Sequence, residues 1–339
     1  MDETTIQDVT IFDESQFHAD MKAGSPCGLY RIPESVYRNA SGHNWSTVKH
    51  MKKSANSYKK HLGMNEDSPD MQVGRMFHAI ILEPEEFDKR YLLPPKTFMY
   101  KDSRKKKDAP PVETPWSFKF KHCRTWRSQM LDAGVEIVTE KQVREAHELA
   151  AAILKRRWLQ QALSDAVATE LAVFWTDYSS SLLCKAKLDI LLPSGTIVDL
   201  KSWNAKIGGR NELDAAGAEA YYSNHHCQAA FYRDGLDRVL ESQNKKAKTE
   251  EGELVVFAYV DKTPEHDTAI LGMSNYEGYP GVYPWMASGR ATYTGLLLEI
   301  ARCEETDEWP STFMGDDGFG DMQLFYVPEF LEKRLAVSE

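Results

Sequence analysis

The sequence predicts an α/β domain with a mixed central sheet flanked by helices. Three observations lead there: helical apolar spacing in the first half, a meander of β-branched and aliphatic runs after residue 168, and a later helix followed by a strongly apolar strand. With 339 residues, 42% of them hydrophobic, the chain can bury a sizeable core.

The elements follow in order. Residues 1–40 are polar and irregular, with Gly24-Ser25-Pro26 breaking any early helix, and read as an N-terminal extension. Ser46 is placed to cap a first helix ahead of Val48, Met51 and Tyr58. Val73, Phe77, Ile80 and Ile81 predict a helix over 73–82, stopped by Glu83-Pro84, with Gly74 and His78 four apart on one face. Residues 101–115 are charged, proline-bearing and aperiodic, which predicts a loop. Alanine and leucine content predicts one long helix over 142–163. Strands are expected at 169–176, 182–192 and 196–203, a helix at 215–236 and a buried strand at 253–260. The division is 1–40, a main domain over 41–302, and an acidic tail over 303–339.

Composition excludes several classes. The five cysteines are scattered, without a Cys-x-x-Cys pair, which argues against a disulfide framework, a zinc ribbon and an iron–sulfur cluster. No apolar run reaches the roughly 20 residues that span a bilayer, and the N-terminus lacks a signal-like pattern, so no membrane partner and a cytoplasmic location are expected. The net charge of −10 opposes nucleic-acid binding as a sum, but its distribution is uneven. Basic residues far outnumber acids over 89–127, including Lys105, Lys106 and Lys107, which are the candidate DNA-backbone contacts, whereas 304–321 holds acids and no lysine or arginine. Such charge runs are also what a plain solvated surface looks like.

Most of the chemical information lies between Lys187 and Lys201. Two aliphatic runs flank Pro193-Ser194-Gly195, a turn signal, so the segment predicts an antiparallel hairpin. With a three-residue loop, Leu192 faces Thr196 and Asp189 falls opposite Asp199. Alternation then sets Asp199 and Lys201 on one face and Val198 and Leu200 on the other. Opposed carboxylates repel and are costly to bury, and a divalent cation such as Mg²⁺ compensates both. A solvent-facing strand with weak surface pairs fits the same pattern.

An Asp ten residues before Asp199-Leu200-Lys201 resembles the signature of PD-(D/E)xK nucleases. Gln228-Ala-Ala-Phe-Tyr232 resembles the Gln-x-x-x-Tyr motif of the RecB-like branch, and Gly74-Arg-Met-Phe-His78 its Gly-x-x-x-His motif. Three longer runs, 74–91, 185–191 and 226–235, resemble the nuclease domain of exodeoxyribonuclease VIII (RecE) and its phage relatives, with likeness over about 45–260. The resemblance implies a restriction-endonuclease-like core and an Mg²⁺-dependent exonuclease, with Mn²⁺ as a substitute, acting on double-stranded DNA ends. It further implies resection of the 5′-ended strand, a single-strand annealing protein as partner, and a ring-shaped homo-oligomer. It assigns Asp189, Asp199, Glu170 and His78 to the metal, and Lys201 to the attacking water or the phosphorane charge. Gln228 and Tyr232 are assigned to the strand being cut. One departure from the family is Asp at 199 where Glu is commoner. Its shorter side chain draws a metal toward the strand.

Overall fold

The computed structural model describes residues 6, 9–24, 26–63, 68–101, 110–204, 212–245, 254–274 and 283–311. Lys105, Lys106 and Lys107, and most of the acidic tail, lie outside the described residues.

Among the described residues seven strands form one mixed sheet in the order β1 (Ile11–Phe12), β2 (Gly28–Tyr30), β7 (Ala168–Thr176), β8 (Leu183–Leu191), β9 (Ile197–Trp203), β10 (Val255–Asp261) and β11 (Thr268–Met273). β7, β8 and β9 form the antiparallel meander, whereas β9 and β10 run parallel. Two short pairs lie outside this sheet: β3 (Tyr91–Leu92) with β6 (Glu136–Ile137), and β4 (Thr97–Tyr100) with β5 (Val112–Pro115). The segment 101–115, expected as a loop, thus ends in a strand. Its Val112, Glu113 and Thr114 pair with Tyr100, Met99 and Phe98.

The helices are α1 (Glu14–Ala23), α2 (Glu34–Asn39), α3 (Trp45–Val48), α4 (Ala55–His61), α5 (Pro69–Leu82), α6 (Pro84–Arg90), α7 (Lys121–Asp132), α8 (Glu140–Ile153), α9 (Arg157–Asp165), α10 (Glu212–Tyr222), α11 (His225–Ser242) and α12 (Tyr283–Thr306). The first 40 residues contribute β1, α1, β2 and α2, and β2 pairs with β7 inside the main sheet.

Local chemistry explains the boundaries. Asn44, not Ser46, caps the first helix of the main domain, its Oδ1 accepting the Thr47 amide at 2.9 Å. Ser68 caps α5 through the Met71 amide at 3.2 Å, and Pro69 occupies the first turn, where a missing N–H costs nothing. The expected helix over 142–163 is two helices, so that Leu149 and Ile153 of α8 and Leu159 of α9 meet in one cluster. The expected helix over 215–236 is also two. Asn224 stands between them at φ 58°, a left-handed conformation that asparagine tolerates better than most residues.

The sheet is covered on both faces. One cluster packs Ile197, Trp203, Phe257 and Tyr259 against α11 and α12 through Phe231, Leu236 and Leu297. The other packs Val198, Leu200 and Ile190 against α5 and α8 through Phe77, Met76 and Leu149. β9 thereby has the expected alternation: Val198 and Leu200 face α5, and the odd-numbered residues, Asp199 and Lys201 among them, belong to the face packed by α11. Four of the five cysteines are buried thiols and Cys27 is exposed. Among the described residues no helix is long and apolar enough to cross a membrane.

Candidate active site

The predicted hairpin register holds at the turn. Leu192 N–H donates to Thr196 O at 3.0 Å, and Leu191 and Ile190 pair with Ile197 and Val198. The ladder then stops one rung short of Asp189 and Asp199. Where the next rung would form, the Leu200 amide donates to Asp189 Oδ2 at 2.7 Å. The side chain of Asp189 thus replaces a strand partner and holds the two strands apart.

The other neighbour of β8 is distorted at the same level. The β7–β8 register pairs Thr169 with Ile190 and Leu171 with Leu188, and omits Glu170 and Asp189 between them. Glu170 has φ 51°, a conformation rare for a residue with a Cβ. Both strands change phase there: Ala168 and Leu171, three apart, share one core cluster, as do Leu188 and Leu191. A local bulge of this kind re-aims side chains, and it directs Glu170 and Asp189 toward α5.

On α5, His78 fills the gap. Its Nε2 lies 3.0 Å from Leu200 O and its Nδ1 3.5 Å from Asp189 Oδ1. A carbonyl only accepts, so Nε2 carries hydrogen and Nδ1 faces the carboxylates. Burial is the largest single influence on the His78 pKa and works to lower it, but the charge and hydrogen bonding of Asp189, together with the charges of Glu170 and Asp199, outweigh it and push it up to about 9. Asp189 is the converse: burial works upward, and His78, Lys201 and the Leu200 amide hold it below the usual carboxylate range.

Asp199 lies toward α11. Gln228 Nε2 donates to its Oδ1 at 2.9 Å, and Tyr232 lies one turn on along the same helix face. Among the described residues, Asp199 Oδ2 is buried without a hydrogen-bond partner of good geometry, and the Lys201 ammonium pairs with it. Burial, with the Asp189 charge against the relief from Lys201, raises its pKa to about 6. Gln228 therefore sets the position of a carboxylate directly.

Lys187 and Glu34 belong to the same network and were not singled out by motif. Lys187 Nζ lies 2.5 Å from Glu170 Oε2 and 2.5 Å from Glu34 Oε2. Burial raises the Glu170 pKa despite Lys187, while Glu34, opposed by burial but paired with Lys187 and Arg38, falls to about 2. The available signal was period two: Lys185, Lys187 and Asp189 alternate along one strand face. Beyond Lys201 opens a cavity of about 560 Å³ whose walls include Lys201, Trp203, His225, Lys262 and Asp70.

The donor set fits a hard divalent cation. Ligand atoms of His78, Glu170 and Asp189 lie within 4.8 Å of one another, and Asp199, not one of that trio, has a buried oxygen with no hydrogen bond among the described residues. Carboxylate oxygens with one imidazole suit Mg²⁺ or Mn²⁺ better than a thiolate-seeking ion.

Residues 44–312 match the family model described as a PDDEXK-like domain of unknown function (DUF3799), and the chain belongs to that family. The fold is also that of a crystal structure named "Putative exonuclease" from Eubacterium rectale, at TM-score 0.53 and 13% identity, covering 89% of this chain and 98% of that one. No curated protein matches the chain.

Proposed function

We propose that this protein is a Mg²⁺-dependent exodeoxyribonuclease that degrades linear double-stranded DNA, removing the 5′-ended strand and leaving 3′ single-stranded overhangs for recombination. The observation that carries the reading is the split between β8 and β9, where Asp189 and Asp199 are separated rather than paired and a lysine stands beside the buried, under-satisfied Asp199 oxygen. A strand built only for solvent exposure has no use for buried, separated carboxylates.

The contacts support a role for each residue. His78, Glu170, Asp189 and Asp199 would hold the cation, which supplies charge stabilisation at the scissile phosphate. Leu200 O fixes the His78 tautomer, so Nδ1 stays turned to the carboxylates. Gln228 fixes Asp199, with Tyr232 behind it. Lys201, between Asp199 and the cavity, orients the attacking water and moves its proton or offsets charge on the phosphate oxygens. A ring-shaped homo-oligomer threaded by a DNA end, and an annealing protein receiving the overhang, complete the proposal.

The test offers linear and covalently closed circular duplex of one sequence together, with Mg²⁺. Loss of the linear form to mononucleotides and a single-stranded remnant is expected, with circles intact and 5′-end blocks protecting more than 3′-end blocks. Nicking of closed circles at a comparable rate would replace this reading with an endonuclease.

A further inference from the structure

Between β3 and β6 the chain departs from the seven-stranded sheet and builds a small lobe from β4, β5 and α7. Of its described residues, 93–101 and 110–135, only Cys123 is buried, and none joins the three core clusters. Its aromatic rings pack mainly on one another. Tyr100 and His122 stack at 3.8 Å and 6°, and Phe120 continues the stack at 5.4 Å and 9° from His122. Phe120 is 40% exposed and Phe118 47%, and Arg127 lies over the Phe118 ring at 5.4 Å. Trp116 in the same cluster has a buried Nε1 with no hydrogen-bond acceptor among the described residues.

The charge on this lobe is one-sided. Its described residues carry Lys96, Lys101, Lys119, Lys121, Arg124 and Arg127 against Glu113 and Asp132. The root of the lobe is tied to the helix that bears His78. Glu136 of β6 pairs with Arg75 at 2.7 Å and accepts from Gln72 at 3.0 Å, and Arg75 is one turn before His78.

We propose that this lobe is a platform for single-stranded DNA, gripping the strand spared by digestion as it leaves the catalytic centre. Here the inference rests on the nuclease reading above. The charge complements phosphate, and exposed ring faces next to cations match what unpaired bases stack on. Paired bases inside a duplex present no such faces, which sets the occupant as single strand.

The test measures anisotropy of a fluorescent oligo-dT with the full chain, in EDTA, across a salt series. Phe118→Ala with Phe120→Ala should weaken binding about tenfold or more at every salt concentration, leaving the salt slope intact. Lys119→Ala with Lys121→Ala should instead flatten the slope by about 1.4, two phosphate contacts on a single strand. Cleavage of a blunt duplex at its first nucleotide should stay at the wild-type rate in both. If the double aromatic variant fails to melt cooperatively, Phe120→Leu, which keeps volume but removes the ring, replaces it. Aromatic variants binding oligo-dT within twofold of wild type would overturn the platform and leave the lobe a scaffold or protein-docking face. Wild-type protein that grips oligo-dT through these rings yet cuts no DNA would overturn the nuclease reading and spare the platform.

Discussion

Asp199 and Asp189 carry the same side chain in opposite surroundings, and this separates their effects on stability. The folded-state pKa of Asp199 is raised to about 6, so in metal-free protein its contribution is present below about pH 4 and lost as pH rises through 6. Asp199→Asn should therefore raise stability in EDTA at pH 8, by up to roughly 3 kcal/mol, and have little effect at pH 4. The Asp189 pKa is lowered, so its contribution is present above the unfolded value and lost only as pH falls through the folded one. Asp189→Asn breaks the His78 pair and should cost about 3 kcal/mol at pH 8. His78 is raised to about 9, so its own contribution is full below pH 6.5 and fades through 9. Thermal melts of both variants at pH 4 and 8 check this, and shifts of the same sign at pH 8 would refute it. Read from the sequence alone, opposed carboxylates predict that removing either one relieves repulsion. The structure restricts that relief to Asp199, because the Leu200 amide and His78 have claimed Asp189.

At the scale of elements, the site is made where three elements break their own pattern. β8 and β9 separate after Ile190 and Val198, β7 bulges at Glu170, and α5 inserts His78 where the ladder has opened. Helix α11 then holds Asp199 through Gln228. Gln228→Ala should leave the fold intact and lower metal affinity or activity roughly 10–100-fold, as loss of a ligand's supporting hydrogen bond does. The readout is the Mg²⁺ concentration giving half-maximal rate, and an unchanged value would exclude the positioning role. The hairpin and its turn were legible because they depend on neighbours in sequence: a three-residue Pro-Ser-Gly loop and strict alternation. The bulge was not, since glutamate has no preference for φ 51° and only packing between strands imposes it. The break at Asn224 was missed for a related reason, the Ala-rich run on one side hiding a left-handed turn. Lys187 was visible only as an alternating charge, and its partner Glu34 comes from α2, far away in the chain.

For the whole molecule, the mixed sheet with α5 and α8 on one face and α11 and α12 on the other brings residues 78, 170, 189, 199, 201 and 228 together around the split between β8 and β9. Most of that constellation was readable as motifs, because each motif lies within a single strand or helix. The N-terminal segment was less so: its polar, irregular pattern hides β2, which pairs with β7 and lets α2 supply Glu34 to the site's edge. The role we propose for this split is that of a metal-dependent phosphodiesterase centre. The most direct test is the rate of release of label from end-labelled linear duplex by wild type, Asp199→Asn and Lys201→Ala, each with Mg²⁺ and with EDTA. Release by wild type only with Mg²⁺, and a loss of about 1,000-fold or more in both variants while they still melt cooperatively, is the predicted result. Release by either variant at near the wild-type rate, or by wild type in EDTA, would contradict it.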